Sequence, residues 1–96
     1  MSLKEAYKQK AEAELALSQA KLAEFKAKAK NSTAEVNLRY AEQMNNLEHG
    51  VNAIQAKLKE LGAAGEDAWE NLKDGLEKAL RSLSTALQDI ADKFKD

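Results

Sequence analysis

Histidine, serine and paired carboxylates are the side chains here that could do chemistry, because the 96-residue chain has no cysteine. Thiol nucleophiles, disulfides and Cys-zinc sites are thereby excluded. His49 is the single histidine. To act as a base it needs a nucleophile and an orienting partner, and to hold a metal it needs several co-ligands. Glu42, Glu48 and Asn52 supply no recognised ligand spacing around it, and it stands off the apolar seam that carries Leu47 and Val51. We therefore expect a surface histidine. Ser82 and Ser84 lie in helix-forming sequence without a G-x-S-x-G elbow. Carboxylates are plentiful, but catalytic pairs require a cleft, which a narrow bundle does not offer. No catalytic, cofactor-binding or metal-ligating residue is assigned: the chain is expected not to be an enzyme and to need no cofactor.

Lys21, Lys26, Lys28 and Lys30 form the one basic cluster, with Phe25 and alanines between them. Such a pattern faintly resembles a nucleic-acid or anionic-lipid surface. A patch this small is better read as a solvated helix face paired with acidic residues near the C-terminus. Net charge is −1, so no global field draws the chain to nucleic acid, and no nucleic-acid partner is expected. Asn31-Ser32-Thr33 matches a glycosylation sequon, which matters only in a secreted protein. No apolar run approaches the ~20 residues that span a bilayer, and the N-terminal stretch lacks a signal peptide's apolar core. A cytoplasmic location is the expectation.

The elements that carry these residues are helices throughout. Alanine, lysine, glutamate and leucine dominate, and there is no proline, a composition typical of long helices and coiled coils. Ser2-Leu3-Lys4-Glu5 reads as a capping box. Behind it Leu3, Tyr7, Ala11, Leu15, Ser18, Leu22, Phe25 and Ala29 share one face, poor in large side chains. Tyr40, Met44, Leu47, Val51, Ile54, Leu58 and Leu61 then step four and three residues in a heptad seam. Gly62 follows where a left-handed cap wants glycine. After Gly62-Ala63-Ala64-Gly65, acidic Glu66, Asp67 and Glu70 open a last helix with Trp69, Leu72, Leu76, Leu80, Leu83, Leu87, Ile90 and Phe94 on one face. The short link makes this helix the antiparallel partner of the one before, with Trp69 near Leu58 and Leu61. Asp74–Lys78, Glu77–Arg81 and Asp89–Lys93 are favourably oriented i,i+4 pairs.

Lys30-Asn31-Ser32-Thr33-Ala34-Glu35 decides the architecture. Asn31 can end a helix and Ser32 to Glu35 can cap another, giving a closed three-helix bundle with a turn at 31–33. Against that, Phe25, Ala29, Ser32, Val36, Tyr40, Met44 and Leu47 keep three- and four-residue steps straight through it. We favour the second reading: an all-α antiparallel hairpin with a long first helix over about 3–61 and a second over about 66–95. A bare helix of this length, ~90 Å at 1.5 Å per residue, leaves residues 3–30 uncovered unless a second chain covers them. The expected partner is therefore another copy, a homodimer domain-swapped about Asn31–Thr33. A proline at Ser32 is expected to favour the turned form. Either way residues 1–96 make one all-helical domain. Residues 1–31 hold seven basic and four acidic side chains, and residues 62–96 hold five and eight, so the two outer thirds complement one another.

Glu66-Asp67-Ala68-Trp69-Glu70-Asn71-Leu72-Lys73-Asp74-Gly75-Leu76-Glu77, the closing Ala91-Asp92-Lys93-Phe94-Lys95 and the opening Met1 to Tyr7 resemble a group of small bacterial coiled-coil proteins linked to stress responses. The resemblance spans nearly the whole chain and implies a non-enzymatic oligomeric protein acting through helix–helix contact. It also implies a continuous helix where this chain has Asn31-Ser32-Thr33. It transfers no catalytic residue. The amphipathic last helix, with Trp69 and Phe94 near its ends, supports an alternative: a peripheral protein on a lipid surface.

Overall fold

The computed structural model describes residues 2–94, of which Phe94 contributes backbone alone. Three helices follow in order: α1 (Leu3–Lys30), α2 (Ala34–Ala63) and α3 (Trp69–Phe94). The expected run of the last helix to residue 95, and the side chain of Phe94, lie outside the described residues. Helix α1 starts where Ser2 Oγ accepts from the Glu5 N–H at 3.2 Å, satisfying one of the donors a helix start leaves open.

The long first helix over 3–61 is not what forms within one chain. Helix α1 ends at Lys30, the chain turns through residues 31–33, and the molecule measures 50 × 19 × 16 Å. The turned alternative is the architecture seen. Its local cause is a division of labour between adjacent side chains. Ser32 donates its hydroxyl and its N–H back to the Ala29 carbonyl, closing α1. Thr33, one residue later than expected, is the N-cap of α2, its Oγ1 accepting from the Val36 N–H at 3.3 Å. With both helix ends capped, the tertiary gain lies in folding α1 onto the hairpin. Ser32→Pro would delete the Ser32 N–H bond to Ala29, so the site that accepts proline is Ala34, the first helical residue.

The second turn also departs from expectation. Helix α2 continues past Leu61 and Gly62 to Ala63, and its cap residue Ala64 is extended at φ −74°, ψ 147°. No described glycine has positive φ. The terminal carbonyls are instead satisfied from α1: Lys4 Nζ donates to Ala64 O at 2.8 Å and to Gly62 O at 3.4 Å. Gly62 leaves room for the Lys8 side chain. A Cβ there would meet Lys8 Nζ at 3.2 Å and Cε at 3.4 Å. Lys4→Ala should therefore cost about 1 kcal/mol, the usual net value of such a bond, readable as a lower urea midpoint.

Burial follows the seams. All seven residues of the α2 heptad, Tyr40 to Leu61, are buried, with Ile54 and Leu61 at 1% and 0% exposure. From α3 come Trp69, Leu76, Leu80, Leu83, Leu87 and Ile90, and from α1 only Ala11, Leu15, Leu22, Phe25 and Ala29. Leu3 is exposed, Tyr7, Ser18 and Leu72 are half-buried, and Trp69 shares one core cluster with Leu58 and Leu61. Gly75 lies inside α3, and a Cβ added there meets nothing within 4 Å. Gly75→Ala should accordingly stabilise the fold by about 0.5–1 kcal/mol through helix propensity, a gain measurable as a higher Tm.

Candidate functional site

Helix α1 covers the α2–α3 hairpin along one side. Along another, α2 and α3 present a second stripe of their own, offset from the core seam at the same three- and four-residue steps. On α2 it runs Gln43, Asn46, Gly50, Ala53, and on α3 Ala79, Ser82, Ala86, Asp89, Lys93. Small side chains at the middle of both stripes leave a groove of about 480 Å³ whose floor is Leu47, Ile54, Leu83 and Ile90. Gly50 keeps it open at its centre, since a Cβ there would stand in contact with Leu83 Cδ1 at 3.8 Å. At one end the Oε1 of Gln43 is buried without a hydrogen-bond partner. A buried acceptor of that kind costs free energy until a donor reaches it. Chemically the groove offers apolar contact and close backbone approach, the features of a seat for a helix.

A second groove, of about 520 Å³, runs between α1 and α3 beside Tyr7, Ser18 and Leu17, with Lys10, Lys21 and Arg81 facing Glu14 and Glu77. Both signs of charge line it, so it focuses no field of one sign. Tyr7 sits at its end. The Tyr7 hydroxyl donates to the Lys73 carbonyl at 3.4 Å, its ring centroid lies 6.1 Å from that of Trp69, and Lys73 Nζ stands 5.4 Å from it. Burial, helped by the carboxylates of Glu77, Glu14 and Asp74, pushes the Tyr7 phenol up to about 12. The folded state thus favours the neutral phenol. Its contribution to stability is fully present below the unfolded value of 10.0 and is lost as pH rises through about 12. An ultraviolet titration should show one of the two tyrosines ionising well above its ordinary range.

The residues picked out for chemistry are not brought together. His49 is exposed on α2. Ser82 borders the α2–α3 groove while Ser84 borders the α1–α3 groove. Among the described residues no group of three or more His, Cys, Asp or Glu side chains could hold a metal ion. The lysine cluster divides as well. Lys26 pairs with Glu48 of α2, and Lys28 pairs with Glu24 on its own helix and lies over the Phe25 ring. Pairing with the acidic last helix was expected, but the salt bridges that the cluster makes among the described residues go to Glu48 of α2 and Glu24 of α1. The i,i+4 pairs closed among the described residues are Lys8–Glu12, Lys28–Glu24 and Arg39–Glu35 rather than the three expected in α3. The groove stripe was missed in the sequence, although small residues repeating beside a heptad seam are a readable signal of it.

Comparison of the chain with protein-family models, with curated proteins and with solved structures finds no match in any of the three. No helix of the described residues is long and apolar enough to cross a membrane.

Proposed function

We infer that this protein works without catalysis, as an oligomeric helical protein whose business is helix–helix contact. The observation that carries this reading is the small-residue groove between α2 and α3. A surface with no further role would gain from filling that groove with larger side chains, so its openness is a feature a second helix uses. Its occupant is a second copy of the chain. Asp89 and Lys93 stand four residues apart on the same rim, so a two-fold axis passing α3 at residue 91 would set each acid against the other copy's base. The resemblance of the chain's two ends to small bacterial stress-response proteins supports a role in bacterial stress tolerance, in the cytoplasm.

Ala53 is exposed on the groove wall, and Ala53→Arg leaves the core untouched. Light-scattering mass should fall from two chains to one in that variant with unchanged helicity. A native chain that is monomeric at all concentrations refutes the reading.

A second reading draws on a different observation. Leu3 and Leu17 are exposed on α1 at 79% and 67%, seven residues either side of Lys10, so a lipid surface could take that face. Co-sedimentation with anionic vesicles that Leu17→Glu abolishes would support it, and no co-sedimentation of the native chain would end it.

A further inference from the structure

The geometry points to a second use of the same core: α1 can leave its own hairpin and pack on that of another copy, the residues 31–33 joint straightening so that α1 and α2 become one helix. This exchange does not rest on the α2–α3 groove. It uses faces that already pack together inside one chain, and three observations support their transfer.

The first is register. Two straight helices crossing antiparallel about a two-fold axis keep a contact between residues i and j only if the midpoint of i and j falls at the axis. In the closed chain Lys4 meets Gly62 and Ala64, and Lys26 meets Glu48. Those midpoints are residues 33, 34 and 37, which lie at and just beyond the joint. A helix continued straight through the joint therefore lays α1 on the other copy's α2 in nearly the same register: one axis re-forms either the Lys4 contacts or the Lys26–Glu48 pair directly and leaves the other within about two helical turns.

The second is rotational phase. At a two-fold axis both halves of the straight helix must present one common face to the partner. Phe25, Ala29, Ser32, Val36 and Tyr40 keep that face across the joint at three- and four-residue steps. Phe25, Ala29 and Tyr40 are buried and Val36 is half-buried in the closed form. The face that α1 turns inward thus runs directly into the face that α2 turns inward. A turn that had drifted out of phase would not permit this.

The third is the cost of straightening. Asn31 has φ −88° with ψ 1°, and Thr33 has φ −66° with ψ 157°. Thr33 φ is already helical and Asn31 φ is near it. The large change at these two residues is rotation about one bond, ψ of Thr33. No described residue lies in the left-handed region. Residues 31–35 are all exposed, so no packing is lost when the joint opens. What is lost is the Thr33 cap and the Ser32 bonds to Ala29, and what is gained is continuous helix through the joint. Closure is favoured in dilute solution because a short link holds α1 at an effective concentration in the millimolar range. Exchange becomes favourable when the chain is comparably concentrated or when the turn is weakened.

The test places one cysteine on each side of a contact. The chain has none of its own, so Lys26→Cys with Glu48→Cys is labelled uniquely by a short bis-maleimide after refolding at about 1 mM. Denaturing gels then read one chain length for the closed form and two for the exchanged form. Three joints are compared: the native one, Asn31→Ala with Ser32→Ala and Thr33→Ala, and Ala34→Pro. The triple alanine joint removes the cap and raises helix propensity, and should shift the ratio of double- to single-length product upward by more than about a hundredfold over the native joint. Thr33 already has the extended ψ that a residue before proline requires, so Ala34→Pro should keep the closed fold and abolish the double-length product. A folded triple variant that gives single-length product alone overturns the exchange. If the triple variant does not fold, the native joint decides, and double-length product no more abundant there than in Ala34→Pro overturns it equally. A doubled light-scattering mass with single-length cross-links also overturns exchange, while leaving association through the groove standing.

Discussion

Leu61→Ala should remove about 3–5 kcal/mol of stability, one of the two largest losses expected from a single side chain here. Leu61 is 0% exposed and sits in the last full turn of α2, where the hairpin tip and α1 both close over it. Truncation to alanine forfeits the transfer free energy of the lost carbons and leaves a cavity that a helical framework relaxes into only partly. A domain of this size shifts its Tm by roughly 4–8 °C for each kcal/mol, so the melting temperature should fall by about 12 °C or more. Leu38, chemically identical and 78% exposed on the same helix, is the control. Leu38→Ala should change stability by no more than about 0.5 kcal/mol. A larger loss at Leu38 than at Leu61 would mean that α2 faces the other way.

Trp69→Ala comes next, at about 3–5 kcal/mol, and it makes a second, independent mark. Trp69 is 6% exposed at the first turn of α3, and its backbone N–H closes the second inter-helix turn by donating to Gly65 O at 3.2 Å. Losing the indole opens the core at the hairpin tip and uncovers Tyr7, whose ring it shields. Burial is the leading reason the Tyr7 phenol is pushed up to about 12, ahead of Glu77, Glu14 and Asp74. In Trp69→Ala the titration of Tyr7 should therefore move back toward 10.0, and the stability lost above that pH should shrink with it. Trp69→Phe keeps a ring in place and should keep most of both effects. A Tyr7 titration that ignores the loss of Trp69 would assign the shift to the carboxylates instead.

Much of the fold was legible because helix periodicity is a local property. The α2 seam from Tyr40 to Leu61 is buried at every position expected of it, since seven apolar residues stepping by four and three can share only one side of a helix. Leu3 broke the pattern: it shares the α1 face, yet α3 begins only at Trp69, and Leu3 lies beyond the covered stretch. Gly62 was misread for a similar reason. Its cap came from a lysine 58 residues away along the chain, and no local pattern records a donor that distant. The candidate groove was written in Gly50, Ala53, Ala79 and Ala86 but was not read, because small residues off a seam look like ordinary helix surface until two such stripes are set side by side.

The all-α class and the helix faces were determined by the sequence itself, through propensity and spacing. The path of the chain at residues 31–33 was decided only in three dimensions. There the competing options differ locally by a few capping bonds and a local backbone rotation that includes ψ of Thr33, while the apolar stripe is compatible with both. Tertiary packing broke that near-tie: α1 has too little apolar surface to stand alone, and the nearest hairpin able to cover it is the one to which it is tethered.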